Sequence, residues 1–272
     1  MNKIIKGVED DTLSYYELKS HNDFSFLYEN IYVMKNKTQF IKQLKLFPDP
    51  YIYVKIFFQG ERIVSTIIQG VFQNERVVNL PAQSTVVSIR FSPLCVDLLM
   101  KQNLDFTVNS FCPIDIRDIG LNEDSISSNL NNYNKLANII EMDLLKSIDL
   151  SKKDNVFYVF DNIIKWKGGI KLRDLSSTLN INRDNIYRMA KQRIGISMKD
   201  YCKTYRFYNN LKNLKNKFMY HDYYDTSDLN KNIKSYTNLT PRQIIDKNTV
   251  DYLQLFFFKN RILYRPTFES FR

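Results

Sequence analysis

The chain has 272 residues, of which 44% are hydrophobic and 25% are charged, and it contains only 7 Gly and 7 Pro. This composition predicts a packed, soluble protein and excludes disordered and collagen-like chains. The densest apolar run, residues 253–258, is far shorter than the roughly 20 residues that span a bilayer. The first twenty residues lack the apolar segment of a signal peptide. We therefore expect a cytoplasmic protein that has no membrane partner.

Residues that commonly bind metals or attack substrates are few. Cys95, Cys112 and Cys202 are widely spaced and odd in number, which favours free thiols over a disulfide framework. His21 and His221 are the only histidines and the chain has no Cys-x-x-Cys motif, so no metal site is predicted. The sequence also lacks paired catalytic carboxylates in a motif, a phosphate-binding glycine loop and a Cys-His arrangement. We therefore expect no cofactor and no enzymatic activity.

Basic and acidic residues are divided unequally between the two halves of the chain. Residues 1–150 contain 15 Lys and Arg against 18 Asp and Glu, whereas residues 151–272 contain 24 against 11. The N-terminal half thus has a formal charge of −3 and the C-terminal half one of +13, within a net charge of +10. Lys and Arg release counterions from a phosphate backbone. The asymmetry therefore favours a nucleic-acid partner for the C-terminal half over a merely solvated basic surface.

The N-terminal half is predicted to be rich in β-strands. Short runs of β-branched and aromatic residues, separated by turn signals at Gly60 and Gly70, predict strands over residues 51–58, 62–69, 76–80 and 84–91. Apolar residues at helical spacing predict helices over residues 96–104 and 130–148. The polar, aperiodic stretch at residues 149–155 then suggests a boundary. We expect a two-domain α+β protein, with a β-rich, barrel-like domain at 1–150 and an all-α domain at 151–272.

The C-terminal half begins with consecutive short helices. They are predicted over residues 156–166, 172–179 and 183–194, with Asn182 as an N-cap and Gly195 as a C-terminal glycine. Two short helices joined by a tight turn have the layout of a helix-turn-helix, in which the second helix contacts DNA bases.

The predicted second helix has two chemically different faces. Ile186, Met189 and Ala190 lie on one face, and we expect them to pack against Leu175 and Leu179. The opposite face carries the candidate DNA-binding residues Arg183, Asp184, Tyr187, Arg188 and Lys191. Arginine matches guanine O6 and N7 in the major groove, and lysine suits phosphate. For a single helix, however, a charged outer face is ordinary and indicates only contact with water.

The order of motifs along residues 156–245 resembles the AraC/XylS family of bacterial transcription regulators. The resemblance is carried by four segments: IKLRDLSSTLNIN at 170–182, ISMKDY at 196–201, YRFYNNLKNL at 205–214 and DYYDTSDLNKNIKSYTNLTP at 222–241. It implies two helix-turn-helix motifs joined by a linker helix, here residues 204–216. Base-contacting positions of the family fall on Asp184, Tyr187 and Arg188 in the first motif. In the second motif they fall on Thr226, Ser227, Asn230 and Lys231.

The second motif departs from the family pattern. Asp222 and Asn238 stand where the family has glycines, and Asn tolerates left-handed backbone better than most residues. The preceding interval is about seven residues shorter than in the family, which reduces the bracing helix to residues 217–220. From the residues themselves, Asp225 can cap a helix that starts at Thr226. In that helix we expect Leu229 and Ile233 to be buried.

The N-terminal half more weakly resembles the sensor halves attached to such regulators, through the step Ser88–Pro93. Arg90 in this step either contacts an anionic effector or is an edge-strand arginine paired with a carboxylate, and we prefer the second interpretation. The aromatic strand at 51–58 forms core or lines an effector pocket. This half is therefore expected to sense a small-molecule effector or to mediate homodimerisation.

These observations predict a sequence-specific regulator of transcription whose partner is double-stranded DNA. The alternative is a degenerate member of the family that acts as a protein-interaction module and no longer reads DNA.

Overall fold

A computed structural model describes residues 4–19, 28–99, 107–149, 155–214 and 226–246. Its strands are β1 (Ile4–Glu9), β2 (Leu13–Lys19), β3 (Tyr28–Asn36), β4 (Lys42–Leu46), β5 (Ile52–Gln59), β6 (Arg62–Gln69), β7 (Arg76–Leu80), β8 (Ser84–Phe91) and β9 (Phe111–Pro113). Its α-helices are α1 (Cys95–Leu99), α2 (Glu123–Ser127), α3 (Tyr133–Ser147), α4 (Asn155–Lys165), α5 (Leu172–Leu179), α6 (Arg183–Ile194), α7 (Met198–Lys212), α8 (Thr226–Thr237) and α9 (Pro241–Asp246). The protein is thus α+β, β-rich in its N-terminal half and helical in its C-terminal half. None of the helices within these ranges has the length and apolarity needed to cross a bilayer.

The strands form two antiparallel sheets. Seven strands pair in the order β1-β2-β3-β8-β5-β6-β9, and β4 pairs with β7 in a separate two-stranded sheet. The central strand β8 pairs with β3 and β5, and all eight of its residues are buried. The sequence pattern predicts β5 to β8 but not β1 to β4 and β9, whose shorter or more polar runs give weaker strand signals.

The two faces of the seven-stranded sheet bury different kinds of side chain. On β5, one face carries Ile52, Val54, Ile56 and Phe58, which belong to the main hydrophobic core together with residues of α1 and α3. The other face of β5 carries Tyr53, Lys55 and Phe57. That face is covered by the two-stranded sheet, whose Leu44 and Leu80 pack against the large sheet. Alternation along a strand produces this division, because successive side chains point to opposite faces.

The main hydrophobic core continues from the sheet into the helical half. Phe160 of α4, Leu175 of α5, Ile186 of α6 and Tyr201 of α7 belong to the same cluster as the apolar face of the sheet. Both halves therefore bury residues in a shared core. Residues 150–154, at the predicted boundary, lie outside the described ranges.

Helices α3, α6 and α7 each start directly after a capping side chain. The predicted helices at 172–179 and 183–194 are confirmed as α5 and α6. Helix α3 begins at Tyr133 rather than at residue 130, because the Asn132 side chain accepts a hydrogen bond from the Lys135 N–H and so caps it. Helix α1 is described only to Leu99, and the rest of the predicted helix at 96–104 lies outside the described residues.

Candidate DNA-binding surface

The turn between α5 and α6 is held by its own residues. Asn180 has left-handed backbone, with φ of 52° and ψ of 41°, and ends α5. Asparagine adopts this conformation more readily than most residues because its short polar side chain can hydrogen-bond locally. Ser176 closes the turn from both sides: its carbonyl accepts from the Ile181 N–H at 3.1 Å, and its hydroxyl donates to the Ile181 carbonyl at 2.7 Å. Ser176 is a positioning residue that the sequence pattern did not predict.

Helix α6 has the predicted ends. The Asn182 side chain accepts a hydrogen bond from the Asp184 N–H at 2.9 Å, which caps the N-terminus. Gly195 adopts left-handed backbone with φ of 75° and donates its N–H to the Lys191 carbonyl at 3.1 Å. Both features are confirmed, and together they set the length of the helix at Arg183–Ile194.

The inner face of α6 packs as predicted. Ile186 and Ala190 are fully buried, and Met189 is half-buried. They belong to the same core as Leu175, while Leu179 is half-buried at its edge. This packing orients α6 about its axis and leaves the opposite face free of the core.

The outer face of α6 lies in solvent. All five predicted residues of this face are exposed: Arg183, Asp184, Tyr187, Arg188 and Lys191. Tyr187 is 50% exposed, and its ring gives the face an apolar element. Such a combination can make bidentate hydrogen bonds to a base, apolar contact with a thymine methyl group and ionic contact with phosphate. We refer to these five residues as the α6 face.

The helix predicted from Thr226 in the second motif is present as α8. It begins at Thr226, its Leu229 and Ile233 are buried as expected, and Ser227, Asn230 and Lys231 are exposed. The side chain of Thr226 lies outside the described part of the chain. So do Asp222, Asp225 and the short brace predicted at residues 217–220, so the capping of α8 and the reduced brace stay predictions.

The end of the second motif follows the expected turn. Asn238 has the predicted left-handed backbone, with φ of 55°. Thr240 and Gln243 then form a reciprocal cap: the Gln243 side chain accepts from the Thr240 N–H at 2.8 Å, and the Thr240 hydroxyl accepts from the Gln243 N–H at 3.2 Å. Helix α9 starts at Pro241, whose missing N–H costs nothing at the first helical position.

The linker helix α7 is longer at its start than predicted. It begins at Met198 instead of residue 204, because the Ser197 hydroxyl caps it by accepting from the Asp200 N–H at 3.1 Å. Gly168, after the end of α4, packs closely against α7. A Cβ on Gly168 would lie 2.5 Å from the Cys202 carbonyl oxygen, and the Arg206 guanidinium donates to the Gly168 carbonyl at 2.9 Å.

Helix α7 joins the second motif to the N-terminal half. Its Phe207 and Leu211 pack with Leu229 and Ile233 of α8. Phe47, which follows β4, is fully buried in this same cluster, and its ring meets that of Phe207 edge-on at 6.1 Å. A residue of the N-terminal half is thus part of the core beneath α8.

Arg90 corrects one expectation. It is paired with carboxylates as preferred, at 3.0 Å to Glu29 and 3.5 Å to Asp49, but it lies on the central strand β8 and not on an edge strand. Only 3% of its side chain is exposed. Its guanidinium carbon lies 3.7 Å from the ring centre of Tyr51 and 4.4 Å from that of Tyr208 on α7. The sequence could not reveal this, because the pairing depends on residues far apart in the chain.

The three cysteines are free thiols, as predicted. Cys95 is buried, and burial raises the pKa of the Cys202 thiol to about 11, so this thiol stays protonated at neutral pH. Within the described ranges, no group of three or more His, Cys, Asp and Glu residues could hold a metal ion. His21 and His221 both lie outside those ranges.

Comparison with other proteins adds no family assignment. No protein-family model matches the chain, and no curated protein matches it. The resemblance to AraC/XylS regulators therefore depends on the motif residues and on their agreement with the helix boundaries.

Proposed function

We propose that the chain is a sequence-specific regulator of transcription that binds double-stranded DNA through α6 and α8. The α6 face carries this proposal: a capped helix of 12 residues buries one side and leaves two arginines, a lysine and a tyrosine in solvent. A helix of this kind after a short bracing helix and a tight turn is the reading element of a helix-turn-helix. In this proposal residues 151–272 are the DNA-binding unit. Residues 1–150 are a barrel-like unit for sensing or homodimerisation.

The charge of the two halves supports the same assignment. The DNA-binding unit has a formal charge of +13, and the exposed residues of α8 include Lys231. The field of a basic surface attracts DNA before any base is read. No enzymatic step is needed for such a function, and none is proposed.

The length of α7 supports a role for both reading helices. Its 15 residues span about 22 Å at the rise of an α-helix. Reading helices that enter successive major grooves on one side of DNA lie about 34 Å apart. A linker of this length covers about two thirds of that separation along its own axis.

The test is selection of binding sites from random duplex DNA by the full chain, followed by titration of the selected duplex and a scrambled one. We expect tighter binding of the selected duplex by at least about 10³-fold, and a linear fall of log affinity with log salt. Equal affinity for both duplexes would contradict sequence-specific reading. Absence of binding at low salt would instead favour the protein-interaction module.

A further inference from the structure

Four consecutive buried residues after β4 extend from the N-terminal half towards the second motif. They are Phe47, Pro48, Asp49 and Pro50, and we call them the 47–50 segment. A proline ring fixes its own φ at about −65° and restricts the preceding residue to extended backbone. Two prolines among four residues therefore leave this segment little conformational freedom.

Hydrogen bonds hold the 47–50 segment in place. The Asp49 N–H donates to the Phe72 carbonyl at 2.9 Å, and the Phe72 N–H donates to the Asp49 carbonyl at 3.0 Å. The Asp49 carboxylate accepts from the Tyr53 hydroxyl at 2.9 Å and lies 3.5 Å from the Arg90 guanidinium. Phe47, two residues before Asp49, is thus attached to a segment that is anchored on the large sheet.

The Phe47 ring lies in the hydrophobic cluster beneath α8. The other members of this cluster are residues of the C-terminal half and include Phe207, Leu211, Leu229, Ile233 and Ile244. The Phe207 ring of α7 contacts two aromatic rings, with its centre 6.1 Å from that of Phe47 and 4.6 Å from that of Tyr236 on α8. One intervening ring therefore connects the N-terminal half to α8.

Charged groups hold the second half of α7 on the large sheet. Arg90 of β8 pairs with Glu29 of β3 at 3.0 Å, and its guanidinium carbon lies 4.4 Å from the ring centre of Tyr208. Glu29 also accepts a hydrogen bond from Lys212, the last residue of α7, at 2.9 Å. The part of α7 that packs against α8 therefore meets side chains from two strands of the sheet.

A cavity of about 100 Å³ lies between the large sheet and the two-stranded sheet, and we call it the sheet cavity. Residues of both sheets, of the 47–50 segment and of α7 line it, among them Lys55, Arg90, Phe47, Asp49 and Tyr208. Three of these residues, Phe47, Arg90 and Tyr208, also take part in the contacts between the N-terminal half and the helices. The contacts that join the two halves on this side thus lie around the sheet cavity.

The two helices of the proposed DNA-binding unit are buried in different clusters. Ile186 of α6 belongs to the main core, which contains the apolar face of the large sheet. Ile233 of α8 belongs to the separate cluster that contains Phe47. The N-terminal half therefore contributes residues to both clusters and is a common support for α6 and α8. Two helices that enter successive major grooves need such a support, because their separation of about 34 Å must match the DNA.

We propose that Phe47, held by the 47–50 segment, is a positioning residue for α8 on DNA. The N-terminal half then sets which spacing between the two half-sites the chain accepts. The consequence for DNA rests on the proposed function, whereas the anchoring of α8 by Phe47 is measurable without DNA.

Hydrogen exchange of the full chain measures the anchoring. Phe47→Leu keeps an apolar side chain and removes the ring that meets Phe207. We expect the amides around Ile233 in α8 to exchange about tenfold faster, and those around Ile186 in α6 to keep their rates. Phe40→Leu is the matched control, because Phe40 is exposed, and it should change neither rate. Unchanged exchange in α8, or equal acceleration in α6 and α8, would overturn the anchoring role of Phe47.

A spacing series tests the consequence for DNA. The full chain is titrated with its selected duplex, with duplexes that have one or two base pairs added between the half-sites, and with a duplex whose α8 half-site is scrambled. We expect Phe47→Leu to bind the selected duplex about tenfold more weakly, to discriminate less between spacings, and to bind the duplex with the scrambled half-site as the wild type does. An equal loss on every duplex would indicate a loss of folded protein and would overturn the positioning role.

Lys212→Met tests the ion pair between α7 and the sheet. Lys212 is only half-buried, so we expect the variant to fold and to show a few-fold weaker discrimination between spacings. Lys203→Met on the same helix is the matched control, because Lys203 is exposed and pairs within α7, with Asp200 at 3.5 Å. It should keep wild-type discrimination. The same response in both variants would mean that only the loss of a positive charge matters, and the ion pair would have no positioning role.

The two experiments separate this inference from the proposed function. If exchange shows that Phe47 anchors α8 while the chain binds no duplex, the proposed function fails and the anchoring stands. If the chain binds its selected duplex and Phe47→Leu keeps the wild-type discrimination between spacings, the positioning role is wrong and the proposed function stands.

Discussion

The α6 face and the sheet cavity are built in opposite ways. The helix pair that carries the α6 face is a continuous run from Leu172 to Ile194, ordered by local caps, and its polar side chains point outward. The cavity draws residues from strands throughout the N-terminal half and one from α7, and its polar side chains point inward. The period of a single helix is enough to place the residues of the α6 face, which we call the outward site. The residues of the cavity, which we call the inward site, are placed by the register of several strands.

The two regions meet at α7. Tyr208 borders the cavity and Phe207, its neighbour on α7, packs with the second motif. Lys212, at the end of α7, forms an ion pair with Glu29 at 2.9 Å, and Glu29 also pairs with Arg90. We therefore expect the two regions to be coupled in stability, and the following predictions test or refine the contrast between them.

The largest effect is expected from Phe47→Ala. Removing this fully buried ring leaves a cavity between Phe207 and α8, so the free energy of unfolding should fall by about 3–5 kcal/mol. Urea denaturation followed by circular dichroism measures the change. Phe40→Ala is the control, because Phe40 is 77% exposed and its loss should cost less than about 0.5 kcal/mol. Two separate transitions, only one of which shifts, would show that the halves unfold independently.

Arg188→Ala tests the outward site. The guanidinium is exposed, and among the described residues it is hydrogen-bonded only within its own helix, to Asn185, so its loss should leave folding intact. We expect binding of the selected duplex to weaken by about 1–3 kcal/mol, with relaxed preference at one base pair. Arg117→Ala removes an exposed arginine from the N-terminal half and should leave binding unchanged. Equal losses on selected and random duplexes would refute base reading by Arg188.

The substitution Lys55→Met tests the inward site by its effect on the free energy of unfolding. The folded state lowers the pKa of Lys55 from 10.5 to about 8, so holding its charge costs free energy below pH 8. We expect the variant to be more stable at pH 7 by about 1–2 kcal/mol, a range reduced because the side chain is partly solvated.

The pH dependence of this gain has a definite sign. Between about pH 8 and 10.5 the unfolded wild-type chain binds more protons than the folded chain, so wild-type stability rises with pH and the gain shrinks. Asp49 opposes the shift through its charge, and Arg90 and Glu17 also line the cavity. Lys35→Met on the exposed surface should give no gain. A variant less stable than wild type at pH 7 would contradict the cost assigned to Lys55.

The smallest effect is expected from Lys191→Ala. Lys191 lies in the last turn of α6 and donates to the Gly195 carbonyl at 3.3 Å, and the proposed function assigns it a phosphate contact. Its removal should flatten the slope of log affinity against log salt by about one unit, on selected and random duplexes alike. Lys146→Ala on α3 should leave the slope unchanged. A loss confined to the selected duplex would assign Lys191 to base contact.

The outward site was predictable and the inward one largely was not. The α6 face could be predicted because each of its residues is placed by helix period and by caps within a few positions in sequence. For β5, the sequence left two alternatives open, a strand in the core or a strand that lines a pocket. Because successive side chains of β5 point to opposite faces of the sheet, both are correct: Val54 lies in the core and Phe57 lines the cavity. Arg90 was expected on an edge strand, because nothing in its neighbourhood reveals that β3 and β5 flank β8.

The sequence by itself determined the helix boundaries at Asn182 and Gly195, the strands from β5 to β8 and the charge difference between the halves. These depend on backbone conformation, side-chain period and composition, which act over a few residues or need no structure. Only the tertiary structure decided that Arg90 meets Glu29 and Tyr208, that Phe47 packs beneath α8 and that Lys55 faces a cavity. Such contacts join residues far apart in the chain, and the packing that selects them is a property of the whole core.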